Sequence, residues 1–136
     1  GGYLLSKMKS LLIFLMFVQH YLLMGPIQDS FVSGDYNQLK EVCADTVSIN
    51  MEEPIDLRGN YGRERFISIL SGKMRGFRVF PIEWISKHIW EDYAVQSFNI
   101  TLRNRLNERD DSYKLIFFMN REGKEWKLYY LRGIKL

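Results

Sequence analysis

The chain is poor in the residues that make chemistry easy to recognise. It has one cysteine, Cys43, so no disulfide framework is available and stability must come from packing. It has two histidines, His20 and His88, and no His, Cys or acidic spacing that matches a metal-ligand set, so no metal or other cofactor is implied. Gly59-Asn60-Tyr61-Gly62 places two glycines before a helix but lacks the Lys-Ser/Thr of a phosphate loop. It reads as a turn, with Asn60 helping to cap that helix. There is no internal repeat, low-complexity tract or long linker. Cations are not concentrated either. The net charge is +3 with Lys and Arg interspersed among acids, which describes a solvated mixed surface rather than a nucleic-acid footprint.

What is present is 136 residues, enough for one domain with a real core, and an aromatic content of 15%. Residues 1–25 differ from the rest. Lys7 and Lys9 precede the apolar run Leu11–Val18, the layout of a secretory signal peptide, and Met8 is a natural initiator within it. Gln19 and His20 interrupt the run before it reaches membrane-spanning length. No small-x-small cleavage site follows, and no lipobox cysteine is present. An export signal, a retained membrane anchor and a buried or partner-facing helix all stay open, the first being favoured. If the leader is a signal, the chain is exported, periplasmic or extracellular, and touches a membrane only where the leader is retained.

Residues 26–136 then read as a single domain. Pro26 starts a short helix, Ile27–Val32, which Ser33-Gly34-Asp35 breaks. Asp35 and Gln38 have the spacing of a capping box for a second helix, in which Leu39, Val42 and Cys43 share a buried face up to Asp45. That placement makes Cys43 a core residue rather than a nucleophile. Thr46–Met51 alternates as a strand with Val47, Ile49 and Met51 inward. Gly62–Arg75 is a third helix whose stripe is Phe66, Ile69, Leu70 and Met74, with Gly76 closing it. Four long antiparallel strands follow: Phe77–Trp90, with Pro81 marking an edge or bulge, then Ala94–Arg105, Ser112–Arg121 and Lys124–Leu136. Strict alternation puts Trp84, His88 and Trp90 on one face, and Glu83 and Lys87 on the other as a solvated pair. In the last strand it puts Trp126, Leu128, Tyr130, Arg132 and Ile134 on one face, with Tyr129 and Leu131 on the other. Tyr113–Met119 is apolar on both faces and therefore needs two packing partners.

This order is α+β, with about three helices covering one face of a strongly curved antiparallel sheet. The joint Phe31-Val32-Ser33-Gly34-Asp35-Tyr36-Asn37-Gln38-Leu39 and the ending Trp126-Lys127-Leu128-Tyr129-Tyr130-Leu131-Arg132-Gly133-Ile134 resemble those of the nuclear-transport-factor-2-like superfamily. The nearest resemblance, over Pro26–Leu136, is to a branch of small exported bacterial proteins of unknown function. Gly133 departs from the pattern and would bulge or bend the last strand. The resemblance implies a cone, also called cystatin-like, in which the bent sheet wraps the helices around a pocket. It implies no one activity.

Three kinds of site follow. His88, walled by Trp84 and Trp90, is the weak candidate for a general base. Trp84, Trp90, Tyr130 and Arg132 are candidates to line a ligand pocket, although Arg132 reads equally as a rim residue laid over aromatics. Ile116, Phe118, Tyr129 and Leu131, left over once the helices are placed, are candidates for a sheet-to-sheet homodimer interface. The expectation is a small exported, non-enzymatic domain that self-associates and binds a small apolar ligand or an envelope protein. A pocket enzyme of isomerase, dehydratase or cyclase type and a structural domain with a filled cone are the alternatives.

Overall fold

The computed structural model describes residues 2–136, with the side chains at 14–24 and 81–84 outside the description. Its elements are α1 (Gly2–Ser33), α2 (Asn37–Glu41), β1 (Cys43–Met51), β2 (Leu57–Gly62), α3 (Arg63–Met74), β3 (Phe77–Ile89), β4 (Tyr93–Asn104), β5 (Asp110–Glu122) and β6 (Glu125–Lys135). The strands form one curved, unclosed sheet in the order β2-β1-β6-β5-β4-β3, antiparallel except between β1 and β6. This is the expected α+β cone.

Helix α1 corrects the expected short segment. It is continuous through Pro26 and about 48 Å long. Proline removes one helical hydrogen bond. The following turn is nevertheless held by burial of Ile27, Ser30 and Phe31, and the Ser30 hydroxyl donates to the Pro26 carbonyl at 2.7 Å. Gly34 ends the helix with φ +78°, its N–H donating to the Ser30 carbonyl. Upstream, residues 2–13 are exposed, and apolar side chains such as Leu4, Met8 and Leu11 stand in solvent.

The second helix is shorter than its spacing predicts. Tyr36, not Asp35, is its N-cap, and Asp35 accepts a hydrogen bond from the Asn37 N–H as an Asx turn. It stops at Glu41 because sheet pairing takes over. Cys43 pairs with Leu128 of β6, and the Leu128 N–H donates to the Val42 carbonyl. Cys43 is therefore the first residue of β1. It is fully buried, and its thiol donates to the Leu39 carbonyl. Burial pushes that thiol up to about 12, against the pull of Arg63 and Lys127, so Cys43 has no nucleophilic form at neutral pH.

In α3 the buried residues are Phe66, Ile67, Leu70 and Met74, while Ile69 is half-buried. The helix packs against α2 as well as the strands, which widens its buried arc to Ile67. Gly62 is its N-cap without a side-chain bond. Asn60 does not cap it, because its side chain instead accepts from the Ser48 hydroxyl across β1 and β2.

The core lies on the inner face of the sheet. Val47, Ile49 and Met51 of β1, Phe98, Ile100 and Leu102 of β4, and Tyr113, Leu115, Phe117 and Met119 of β5 are all buried. Phe31 from α1 stands edge-on to Phe98 and Phe117, at 6.1 and 5.9 Å between ring centroids. Phe98 and Phe117 stack at 5.2 Å. Side chains thus fill the middle of the cone.

Two irregularities overturn strict alternation. In β3 the register shifts between Phe80 and Glu83, around Pro81, and again between Trp84 and Ser86. The register places Trp84 opposite Phe98 of the core face, but His88 opposite Val95 of the outer face, so the two do not share a phase. Lys87 falls opposite the fully buried Gln96 and is half-buried rather than solvated. In β6 the pairs Phe118–Tyr130 and Met119–Leu128 leave Tyr129 as the extra residue of a bulge. Before the bulge Leu128 points inward. After it Leu131 and Gly133 do, while Tyr130, Arg132 and Ile134 face outward. The bulge therefore lies at Tyr129, not at Gly133. Gly133 serves a different purpose: a Cβ there would lie 2.5 Å from the Tyr113 ring, whose hydroxyl donates to the Glu52 carbonyl.

Candidate functional site

The outer face is built by register. Residues directly opposite across a ladder share a face, so Val95, Phe118 and Tyr130 form one row and Ser97, Ile116 and Arg132 the next. Phe118 and Tyr130 meet edge-on at 5.1 Å. Tyr129, pushed outward by the bulge, lies 6.4 Å from Tyr93 between ring centroids and is hydrogen-bonded to it. Partial burial, then Tyr93, push the Tyr129 hydroxyl up to about 12, so it is a neutral phenol at neutral pH. Tyr93 stacks on Trp90 at 5.4 Å, and Trp90 on His88 at 5.9 Å. The result is a continuous aromatic patch at the β3–β4 end of the face. At the other end the face turns ionic: Arg103 and Asp110 form a two-pronged pair at 2.8 and 3.0 Å, with Arg103 over the Phe80 ring.

The sequence-predicted residues separate accordingly. Ile116, Phe118 and Tyr129 are half-buried on the outer face, where an interface residue must be. Leu131 is fully buried in the protein's own core and offers no surface, a consequence of the bulge that sequence alternation could not register. Tyr130 is half-buried and Arg132 exposed on the outer face, and Trp90 is 55% exposed at the end of β3. These three do not line the cone's interior. Trp84's side chain lies outside the described residues. His88 is exposed, so it is not walled off from water, and neither it nor Arg132 lines a described cleft. Asp56 takes φ +53° in the β1–β2 connection and lines a mixed-charge cleft, where the ion pairs are those of Asp111 with Arg109 and Lys135.

Among the described residues, clefts open at the margins instead, and three of them stand out. The first, about 640 Å³, lies between Pro26, α2 and the start of β6, with Val42 and Trp126 as apolar wall and Glu41, Lys124, Glu125 and Lys127 at its rim. Its charges answer one another, since Lys127 pairs with Glu125 at 3.3 Å and donates to the Glu41 carbonyl. The second, about 530 Å³, lies where the ends of α1 and α3 meet the start of β3. The third, about 440 Å³, is polar and ion-paired, with Lys135 and Arg109 both on Asp111. None of these was legible in the sequence, because each joins short stretches from three or more elements. Among the described residues no three His, Cys, Asp or Glu side chains converge to hold a metal ion, and no described helix is long and apolar enough to cross a membrane.

No family model matches the chain, and no curated protein does. Solved structures do. A DUF4783 family protein from Bacteroides uniformis superposes with a TM-score of 0.70 at 9% identity, over 82% of this chain and 95% of that one. A second, from Bacteroides ovatus, gives 0.62 at 12% identity over 79% and 89%. A nuclear-transport-factor-2-like protein from Cytophaga hutchinsonii gives 0.61 at 13% identity over 83% and 92%. At these identities the likeness shows the fold: the chain adopts the nuclear-transport-factor-2-like cone.

Proposed function

We propose that this chain is a non-enzymatic cone-fold module that is exported, self-associates through the outer face of its sheet and binds a small apolar ligand or an envelope protein. The observation that carries self-association is the patch formed by Val95, Ile116, Phe118, Tyr129 and Tyr130. It lies mid-sheet, half-buried, on the side away from the helices. A contiguous apolar patch of this kind on a sheet face marks an association surface, and Tyr is among the residues enriched there. A two-fold axis parallel to the sheet, in the plane between two copies, would set Phe118 and Tyr130 of one copy against the same patch of the next.

The filled interior supports binding at a margin or by association rather than in a deep catalytic cavity. The enzymatic alternative needs His88 and Arg132 at one cavity, and both stand exposed on the outer face. Export rests on Lys7 and Lys9 ahead of the apolar run; the intact mass of the chain recovered from a bacterial envelope fraction reads it, and retention of the leader in soluble cytoplasmic protein would oppose it.

Light scattering on the protein at tens of micromolar tests self-association. The expected mass is that of a dimer. Phe118→Asp and Ile116→Asp are expected to give monomers whose melting temperature, at equal protein concentration, falls no further than loss of the dimer requires. A strict monomer in the unsubstituted protein would sink the reading.

A further inference from the structure

We infer that the cleft of about 530 Å³ between the ends of α1 and α3 and the start of β3 is a site for an amphipathic carboxylate, an apolar chain or ring carrying one anionic head. The inference gives a class to the ligand of the proposed function and rests on the ligand-binding part of it. It does not depend on self-association.

The charge pattern separates this cleft from the other two. Both of those are lined by acids as well as bases, some of them paired with each other. Here the charged lining residues are Arg75 and Arg105, and no carboxylate among the described residues joins them. Neither guanidinium has an ion-pair or hydrogen-bond partner among the described residues. Arg75 follows the last turn of α3, where a cation also suits the helix dipole. Arg105 has no helix end of its own to neutralise. It follows β4 and is fixed by its backbone, whose N–H donates to the Gly76 carbonyl at 2.9 Å. That single bond ties the two arginine-bearing segments together at the rim.

The apolar part of the lining is Phe31, Met74, Phe77 and Val79, with the Tyr36 ring set edge-on to Phe31 at 5.2 Å, and Ser33 and Ser71 add polar surface beside them. Tyr36 itself is nearly buried, at 5% exposure. Apolar side chains beside convergent polar groups, at a volume within the ordinary range of roughly 300–1,000 Å³, suit a small amphipathic molecule. Two guanidiniums without acids favour a carboxylate over an alcohol or an amine, because planar N–H forks match its two oxygens.

Decanoate and decylamine, kept below their micellar concentrations, and decanol, kept below its solubility limit, each titrated calorimetrically into the full chain, test this. Decanoate is expected to bind, decanol at least about tenfold more weakly and decylamine not at all. Arg75→Gln with Arg105→Gln should lower decanoate affinity by about tenfold or more, with the oligomeric state unchanged and the melting temperature lowered only by the loss of a cation at the end of α3. Arg132→Gln on the outer face should leave it as it is. Equal affinity for decanol, an unaffected double variant, or no decanoate binding at about 1 mM would each overturn the assignment. The light-scattering mass, read on the same samples, shows separately whether self-association stands.

Discussion

On the inner face of β5, Tyr113, Leu115, Phe117 and Met119 are each fully buried, whereas on its outer face Ile116 and Phe118 are half-buried. The residue types are alike, yet their surroundings differ. Phe117 is enclosed by Phe31 and Phe98, so its ring is surrounded on several sides. Phe118 meets the Tyr130 ring edge-on and is partly exposed. Inner-face apolar area is satisfied within the chain. Outer-face apolar area is satisfied only when something else covers it, and that is why the outer face is the functional candidate.

The largest effect should come from breaking the inner side of the comparison. Phe117→Ala removes a ring from the packed centre of the cone and is expected to cost about 3–5 kcal/mol of unfolding free energy. Phe118→Ala should cost less, because part of that ring is already exposed and water can fill the space it leaves. Urea unfolding of the two variants, at a concentration where both are monomeric, reads the difference directly. Similar costs would mean that the two faces are equally buried and would remove the case for an unpartnered outer face.

Gly133 sharpens the same comparison at one position. It is an inner-face residue of β6, and a methyl group there meets Tyr113 Cε1 and the Tyr113 hydroxyl oxygen at 2.5 Å. Gly133→Ala should therefore destabilise by about 1–3 kcal/mol through overpacking. Its outer-face neighbour Arg132, changed to Ala, should shift stability by no more than about 0.5 kcal/mol. A neutral Gly133→Ala in thermal unfolding would show that Tyr113 yields easily and that the two faces differ less in rigidity than in burial.

How far the sequence reaches follows the same line between the faces. Where alternation is unbroken, as in β4 and β5, it separates inner from outer correctly: Phe98, Ile100 and Leu102 lie inside, and Ile116 and Phe118 outside. Where a strand carries an extra residue, the period-two argument changes sign from that point on. Pro81 signals the first shift in β3, since proline cannot donate to the ladder. Nothing local marks the bulge at Tyr129, so Leu131 reads as surface and proves to be core. Gly133, the visible anomaly nearby, draws attention away from it. The helices show another limit. Pro26 reads as a start, but burial of Ile27 and Phe31 holds the helix together through it. The carboxylate cleft is beyond sequence reading, because Arg75 and Arg105 are thirty residues apart and meet only through the Arg105–Gly76 backbone bond.

The smallest effect belongs to the ionic end of the outer face, and it tests whether that face is apolar throughout or only in its aromatic half. Arg103 holds the Asp110 carboxyl below its ordinary value, mainly through the hydrogen-bonded pair, and Asp110 in turn holds Arg103 up. A carboxylate with a depressed folded-state pKa contributes stability that is fully present above its unfolded value and is lost as the pH falls through the folded one. Asp110→Asn should therefore lower the melting temperature slightly at pH 7, by a gap that shrinks as the pH falls below the ordinary carboxylate range and closes only below the depressed folded-state value. Because the pair is exposed, the gap at pH 7 should also shrink in high salt. If the gap is instead large and persists in salt, something desolvates this end of the sheet. The association surface would then extend past the aromatic patch to Arg103 and Asp110, and light scattering on Asp110→Asn would show a loss of dimer alongside the loss of stability.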